Sequence, residues 1–394
     1  LSFPSGNFDQ LANIIFHIGC PKTGTTSIQN FLFQNAEWLN ENGIYYPKPI
    51  FGSNHVVEML QIAKTVEPNA TLPWTDRWDD LATTERARLP IFVDSINKAR
   101  DASLDSIISH EGFFNVLHTR DHIEWLAESF GRENVKAVLY VRRIDQWIEA
   151  SISQRSKGTE PCSEDMIRRV LDKKLGDYDL IEQRLDIWSE IFGVQNVIVR
   201  PFERKSFAGG DVIADFADTL GLSKLAGLFD EKRETFEARN LSPNVESIRL
   251  WPHFLSYPVS QRSEFEKKIQ ELLSSKQLLD KLGSPRTSFL SFEERTSLVN
   301  RYSGMYARIA EKFLGRTTFF ANDVPQGSDW PALTQADNER TLKIMHDYLV
   351  DSLNKEGTDA KVLLSDRTSC DSAVPVSESS SPTWRDYLGR LFAR

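Results

Sequence analysis

The chain has 394 residues, 40% of them apolar, and a formal net charge of -9. That is enough apolar content for a sizeable core, while the negative balance argues against a general binder of nucleic acid or of anionic membranes. Any anion site must therefore be a local pocket set into an acidic protein.

Ile14–Ile18 is a short apolar run rich in β-branched residues and ends at Gly19, which reads as a buried strand. From Thr25 the pattern turns helical: Ile28, Phe31, Leu32, Ala36 and Leu39 recur at spacings of three and four, and Gly43 suits the stop. Residues 66–90, rich in Pro, Asp, Thr and Trp, read as a surface excursion. Ser106–Ser109 is a second strand and Val135–Val141 the strongest strand signal, followed by a helix from Asp145 to about Lys157. Asn196–Arg200 is a fourth strand, ended by Pro201. Strands alternating with helices imply an α/β fold, a three-layer, doubly wound parallel sheet that binds ligands at the carboxyl ends of its strands. We expect one domain over 1–354, with a helical part at about 243–320. Residues 355–394 read as a polar tail, flexible over 355–382, with a short terminal helix from Trp384 to Phe392.

Three cysteines, Cys20, Cys162 and Cys370, lie far apart and are odd in number. Neither a disulfide framework nor a zinc site is expected. The first residues lack a basic start followed by an apolar run, and no stretch approaches 18 uninterrupted apolar residues. No signal peptide or membrane span is expected, and a cytoplasmic protein is the reading.

Residues 17–26 read HIGCPKTGTT between the first strand and the first helix. Such a loop turns backbone N–H groups toward an anion at a helix N-terminus. Gly19 and Gly24 let the backbone come close, Lys22 adds a mobile charge, and Thr23, Thr25, Thr26 and Ser27 add hydroxyl donors. Taken alone, a glycine-rich turn is as easily a tight strand-to-helix connection. Here a lysine, two glycines and several hydroxyls converge after a strand, and that combination points to phosphate. A Walker A loop ends in Gly-Lys-Ser/Thr. This one ends in Gly24-Thr25-Thr26, with its lysine two residues before the glycine, which argues against an ordinary ATPase or GTPase.

The run Pro21-Lys22-Thr23-Gly24-Thr25-Thr26 resembles the 5'-phosphosulfate loop of the sulfotransferases that use PAPS (3'-phosphoadenosine 5'-phosphosulfate), above all their bacterial branch. The resemblance runs from about Ile14 to about Phe320 and is weak over 60–100. It implies a P-loop-type fold, PAPS as donor, PAP as product and no bound metal. The acceptor would be a carbohydrate or another small hydroxyl or amine compound. It also implies a 3'-phosphate element, an Arg at a strand end and a Ser on the next helix. Residues 138–154, VLYVRRIDQWIEASISQ, are similar. Matching on Asp145, Trp147 and Gln154 selects Arg142 but puts the family's Ser on Ala150, whereas an eight-residue interval pairs Arg143 with Ser151. Arg142 is the expected main ligand, with Ser151 a shifted donor.

Sulfuryl transfer needs a base for the acceptor hydroxyl and cations over the departing phosphate. The resemblance assigns Lys22 to the leaving oxygen, helped by Thr26 or Ser27. Residues 106–114, SIISHEGFF, match the family's second strand and make Glu111 the expected base, just past a strand's carboxyl end. His55 is the second candidate, and His110 stands beside Glu111. Trp74, Trp78, Trp125, Trp251, His253 and Tyr257 are candidates for a sugar-stacking groove, although aromatics at such spacing are more often core or loop anchors. Arg239–Pro243 resembles a family segment that closes over the nucleotide, and Tyr178 matches a family Tyr that begins a helix. Two other readings compete: a kinase-like phosphotransferase on the same loop, and a non-catalytic nucleotide-binding relative.

Overall fold

A computed structural model describes residues 13–69, 88–158, 160–232, 245–256, 262–283, 288–324 and 335–355. Trp74, Trp78, Tyr257, Arg239–Pro243 and the expected tail lie outside them. The chain divides into two compact units: Leu1–Arg143, Asp177–Glu237 and Gly304–Ala321 form the first, and Ile144–Gly176, Ala238–Ser303 and Asn322–Arg394 the second.

The first unit is an α/β layer structure on five parallel strands: β1 (Ile14–His17), β2 (Ile44–Tyr45), β3 (Asp105–Ser109), β4 (Val135–Val141) and β5 (Val197–Pro201), in the order β2-β3-β1-β4-β5. Successive strand residues face opposite sides of a sheet, and here both sides are covered. Ile15, Ile107, Val138 and Tyr140 pack on one side with Ile28, Phe31 and Leu32 of α1 (Thr25–Gln34) and with Phe216 and Leu228 from later helices. On the other side Phe16 meets Phe113, Phe130 and Trp188 with ring centroids 5.3, 5.7 and 6.1 Å away. This is the expected three-layer, doubly wound arrangement, and it explains why these strands read as unbroken apolar runs rather than alternating ones.

Two local details depart from expectation. The helix expected from Thr25 to Gly43 is broken at Asn35, and a second helix runs over Ala36–Glu41. The Asn35 side chain donates to Phe31 O at 2.8 Å, so it replaces the backbone bond that would have continued the helix. The strand β2 is only two residues long, too short to give a pattern.

The order β2-β3-β1-β4-β5 places the switch point between β1 and β4, because the chain leaves β1 toward one side of the sheet and leaves β4 toward the other. In open α/β sheets ligands bind outside the carboxyl ends of the strands at that point.

The second unit is helical in its described residues. Helices Val245–Leu250, Glu264–Leu273, Lys276–Leu282 and Gln335–Lys355 share a core that includes Trp251, Phe254, Leu273, Met345 and Leu349. Its buried Asp145 pairs with Arg295, whose Nε donates at 2.8 Å. Glu149 accepts from Ser288 Oγ and from the N–H groups of Phe289 and Leu290 at 3.1 and 2.9 Å. Those bonds order the approach to a helix that Ser291 and Glu294 close with a reciprocal cap. No helix among the described residues is long and apolar enough to cross a membrane.

Candidate active site

The loop after β1 is held in an unusual backbone course. Gly19, Lys22 and Gly24 have φ of 39°, 70° and 75°. Lys22 is the informative one, since a side chain in that region costs energy and tends to persist where function requires it. The two glycines are required by space as well. A Cβ on Gly19 would stand 2.7 Å from Thr25 Cγ2, and one on Gly24 would stand 2.9 Å from Val212 Cγ1. Inside the curl, the buried Thr23 hydroxyl donates to Cys20 O at 2.5 Å and pins the turn. Helix α1 starts from Gly24 with no side-chain cap and no acidic residue in its first turn. Its leading N–H groups and the positive end of its dipole are thus available to an anion. Thr26 is exposed at this end, and Lys22, Gly24 and Ser27 are half-buried.

Arg142 and Glu111 come to the same loop from either side of β1. Arg142 follows β4, and its Nη1 donates to Lys22 O at 2.8 Å while the guanidinium lies 5.4 Å from the Phe202 ring centroid. Its own carbonyl accepts from Tyr178 Oη at 2.8 Å, and Tyr178 also shares a bond of 2.9 Å with Tyr306 Oη. Tyr178 stands at the end of the helix Glu164–Asp179, not at the start of one as the resemblance implied. The neighbouring Arg143 is buried, with 2% of its surface exposed. Ser151 belongs to the second unit, where its hydroxyl donates to Trp147 O one turn back in the helix Ile144–Gly158.

Glu111 follows β3 and immediately precedes the short helix Gly112–Asn115, but its side chain does not cap it. The carboxylate instead accepts from Thr25 Oγ1 at 2.5 Å, which ties it to the loop containing Lys22.

His55 is fully occupied elsewhere. Its Nδ1 accepts from Ser109 N at 3.1 Å, and its Nε2 then donates to Pro47 O at 2.9 Å. The ring is buried, and burial pushes its pKa down to about 4. A histidine with both nitrogens committed to backbone has no lone pair for an acceptor, so the expectation of His55 as a second base is corrected to a structural brace. His110 is likewise buried; its Nδ1 accepts from Gly112 N at 2.9 Å, and burial lowers its pKa to about 3. Among the aromatic candidates, Trp251 is wholly buried in the core of the second unit, which removes it from any stacking surface, and His253 and Trp125 are half-buried.

Sequence reasoning passed over His17, the last residue of β1. Its Nδ1 is 2.8 Å from Ser109 Oγ, and its Nε2 is buried without a protein partner among the described residues. That Nε2 lies 3.7 Å from where a Cβ on Gly19 would sit, and Glu111 Cγ lies 3.6 Å from the same point. A histidine at the end of a strand before a glycine-rich turn was the available signal. The apolar context made it read as strand.

No family model matches the chain. An uncharacterized protein of Archaeoglobus fulgidus is 24% identical over 260 residues, which cover 65% of this chain and 67% of that protein. Among solved structures, a sulfotransferase from Alicyclobacillus acidocaldarius is similar at a TM-score of 0.34 and 16% identity, over 53% of this chain and 81% of that one. The functional reading therefore rests on the residues of the site.

Proposed function

We propose that this protein is a sulfotransferase that moves a sulfuryl group from PAPS to a hydroxyl or amine, with a carbohydrate or another small hydroxyl compound as the acceptor class. The observation that carries the reading is the convergence on one loop at the switch point. Lys22 stands in a left-handed backbone position, Arg142 reaches the Lys22 carbonyl, and the Glu111 carboxylate is bonded to Thr25. An anionic donor fits the loop and the uncapped start of α1.

In this reading Gly24, Thr25, Thr26 and Ser27 hold the 5'-phosphosulfate, with Thr23 shaping the turn beneath it. Arg142 serves the 3'-phosphate side. Glu111 accepts the acceptor's proton as a new O–S bond forms, and the bond from sulfur to the 5'-phosphate oxygen breaks. PAP leaves with that oxygen's added negative charge, which the Lys22 ammonium offsets. A cation placed where charge develops accelerates the step more than it aids ground-state binding. A carboxylate serves as base when it is held within hydrogen-bond reach of the acceptor. The test is transfer of radiolabelled sulfate from PAPS to a panel of mono- and oligosaccharides and small alcohols and amines. Labelled acceptor that depends on Glu111 and Lys22 is expected. Transfer of a γ-phosphate from ATP in place of sulfate would overturn the assignment.

A further inference from the structure

A hydroxyl has one proton to donate. In this structure the Thr25 proton goes to Glu111. The oxygens of a bound phosphosulfate are acceptors only, so Thr25 cannot donate to the nucleotide and to Glu111 at once. Binding of the donor that the sulfuryl-transfer reading assigns to this loop thus strips the carboxylate of this partner.

One unpaired donor borders the same space. The orientation of Gln29 is set by Asn54, whose Nδ2 donates to Gln29 Oε1 at 3.4 Å, so that Gln29 Nε2 donates to Ser109 Oγ at 3.2 Å. Ser109 Oγ accepts there, and the only acceptor among the described residues for its own proton is His17 Nδ1, 2.8 Å away, so the hydroxyl is satisfied by donating to that nitrogen. The chain of bonds leaves Nε2 of the neutral ring as the protonated nitrogen. Burial lowers the His17 pKa to about 3, so the ring stays neutral and works as a fixed donor rather than a base. A buried polar group without a partner calls for an explanation in ligand or substrate binding. His17 Nε2 and Glu111 Cγ lie 3.7 and 3.6 Å from the one point where a Gly19 Cβ would be, a position that only glycine leaves open.

We propose that His17 is a positioning residue for Glu111: its Nε2–H takes one carboxylate oxygen when the Thr25 hydroxyl turns to the bound donor, leaving the other oxygen open to the acceptor hydroxyl. The base is thereby made available only when the donor is in place. This inference rests on the sulfuryl-transfer reading.

Two substitutions separate the ring's two nitrogens. His17→Asn keeps a polar group where Nδ1 meets Ser109 and removes the distal donor; His17→Gln reaches the distal position with an N–H. A hydrogen bond to a charged group corresponds to about tenfold to a hundredfold. His17→Asn should lower kcat by that factor with the Kd for PAP within about threefold of wild type, and His17→Gln should recover most of the loss. In wild-type protein labelled with 15N-histidine, Nε2 of His17 should be the protonated nitrogen, and its proton resonance should move downfield when PAP saturates the site. That measurement stands even if a variant fails to fold. An Nδ1–H tautomer, or a resonance unmoved by saturating PAP, would overturn the proposal. If wild type transfers sulfate while His17→Asn stays within about threefold in kcat, the His17 assignment alone falls. If wild type neither binds PAP nor transfers sulfate, the functional reading falls and takes this inference with it.

Discussion

Two histidines meet at Ser109, and they use their rings in opposite ways. His55 accepts from the Ser109 backbone on one nitrogen and donates to Pro47 on the other, so nothing of it remains to be satisfied. His17 meets the Ser109 hydroxyl with Nδ1 and keeps Nε2 without a protein partner beside Gly19. Both rings are wholly buried, and burial holds both well below the ordinary histidine pKa. Burial and a depressed pKa therefore do not distinguish a working group from a brace. The completeness of its hydrogen bonding, and whether the unused atom faces the site, does.

The same contrast orders the expected effects of substitution. Glu111, bonded to Thr25 at the start of α1, belongs on the working side in the proposed reading. Glu111→Gln keeps the shape, removes the basicity and should lower kcat by about a hundredfold to ten-thousandfold, with PAP affinity preserved. A fall in PAP affinity of the same size, with kcat intact, would move Glu111 to the binding side. Lys22→Ala should cost about a hundredfold or more in kcat and less in PAP affinity, because its charge is needed most as the phosphate departs. Equal losses in both would make it a ground-state ligand. Arg142→Ala should weaken PAP by about tenfold to a hundredfold with a smaller effect on kcat. Arg143→Ala is the control for register: loss of PAP binding there, with Arg142→Ala silent, would reverse the assignment.

On the brace side, His55→Ala should lower the melting temperature through the unpaired Ser109 N–H and leave the ratio of kcat to PAP affinity unchanged. The buried histidines also set an acid limit. His17, His55 and His110 are held near 3, 4 and 3 when folded, against an ordinary value of 6.5. Between those limits the unfolded chain binds protons that the folded chain excludes. Stability is full above about pH 6.5 and is lost as pH falls toward 4. Melting curves from pH 7.5 to 4.5 should show that decline, and removing His55 should flatten part of it. A pH dependence left unchanged by removing His55 would contradict the burial of that ring, since the buried Glu58, whose carboxyl is pushed up to about 7, opposes the histidines over the same range.

The features that show in the amino-acid sequence are the local ones. The runs at Ile14 and Val135 showed as strands because both faces of a parallel sheet are covered, and the loop was legible because its lysine, glycines and hydroxyls are consecutive. Glu111 was singled out by position, just past the end of a strand. His17 was not, because its meaning depends on a partner 92 residues away. Only the parallel register that sets His17 opposite Ser109 brings them together. His55 failed as a candidate base for the same reason: its backbone partners at Pro47 and Ser109 are fixed by packing, and no pattern along the chain announces them. The break at Asn35 was hidden by a continuous apolar periodicity on either side of it.

In the proposed reading the loop and Arg142 form a site, built from protein groups, for a nucleotide bearing both a 3'-phosphate and a 5'-phosphosulfate. Thermal shift measurements with PAP and with ATP plus magnesium test it directly. PAP without added metal should stabilise the protein, by about 2.7 kcal/mol at a hundredfold excess over its dissociation constant, and Arg142→Ala should reduce that gain. A larger shift with ATP and magnesium than with PAP would overturn the assignment of the donor.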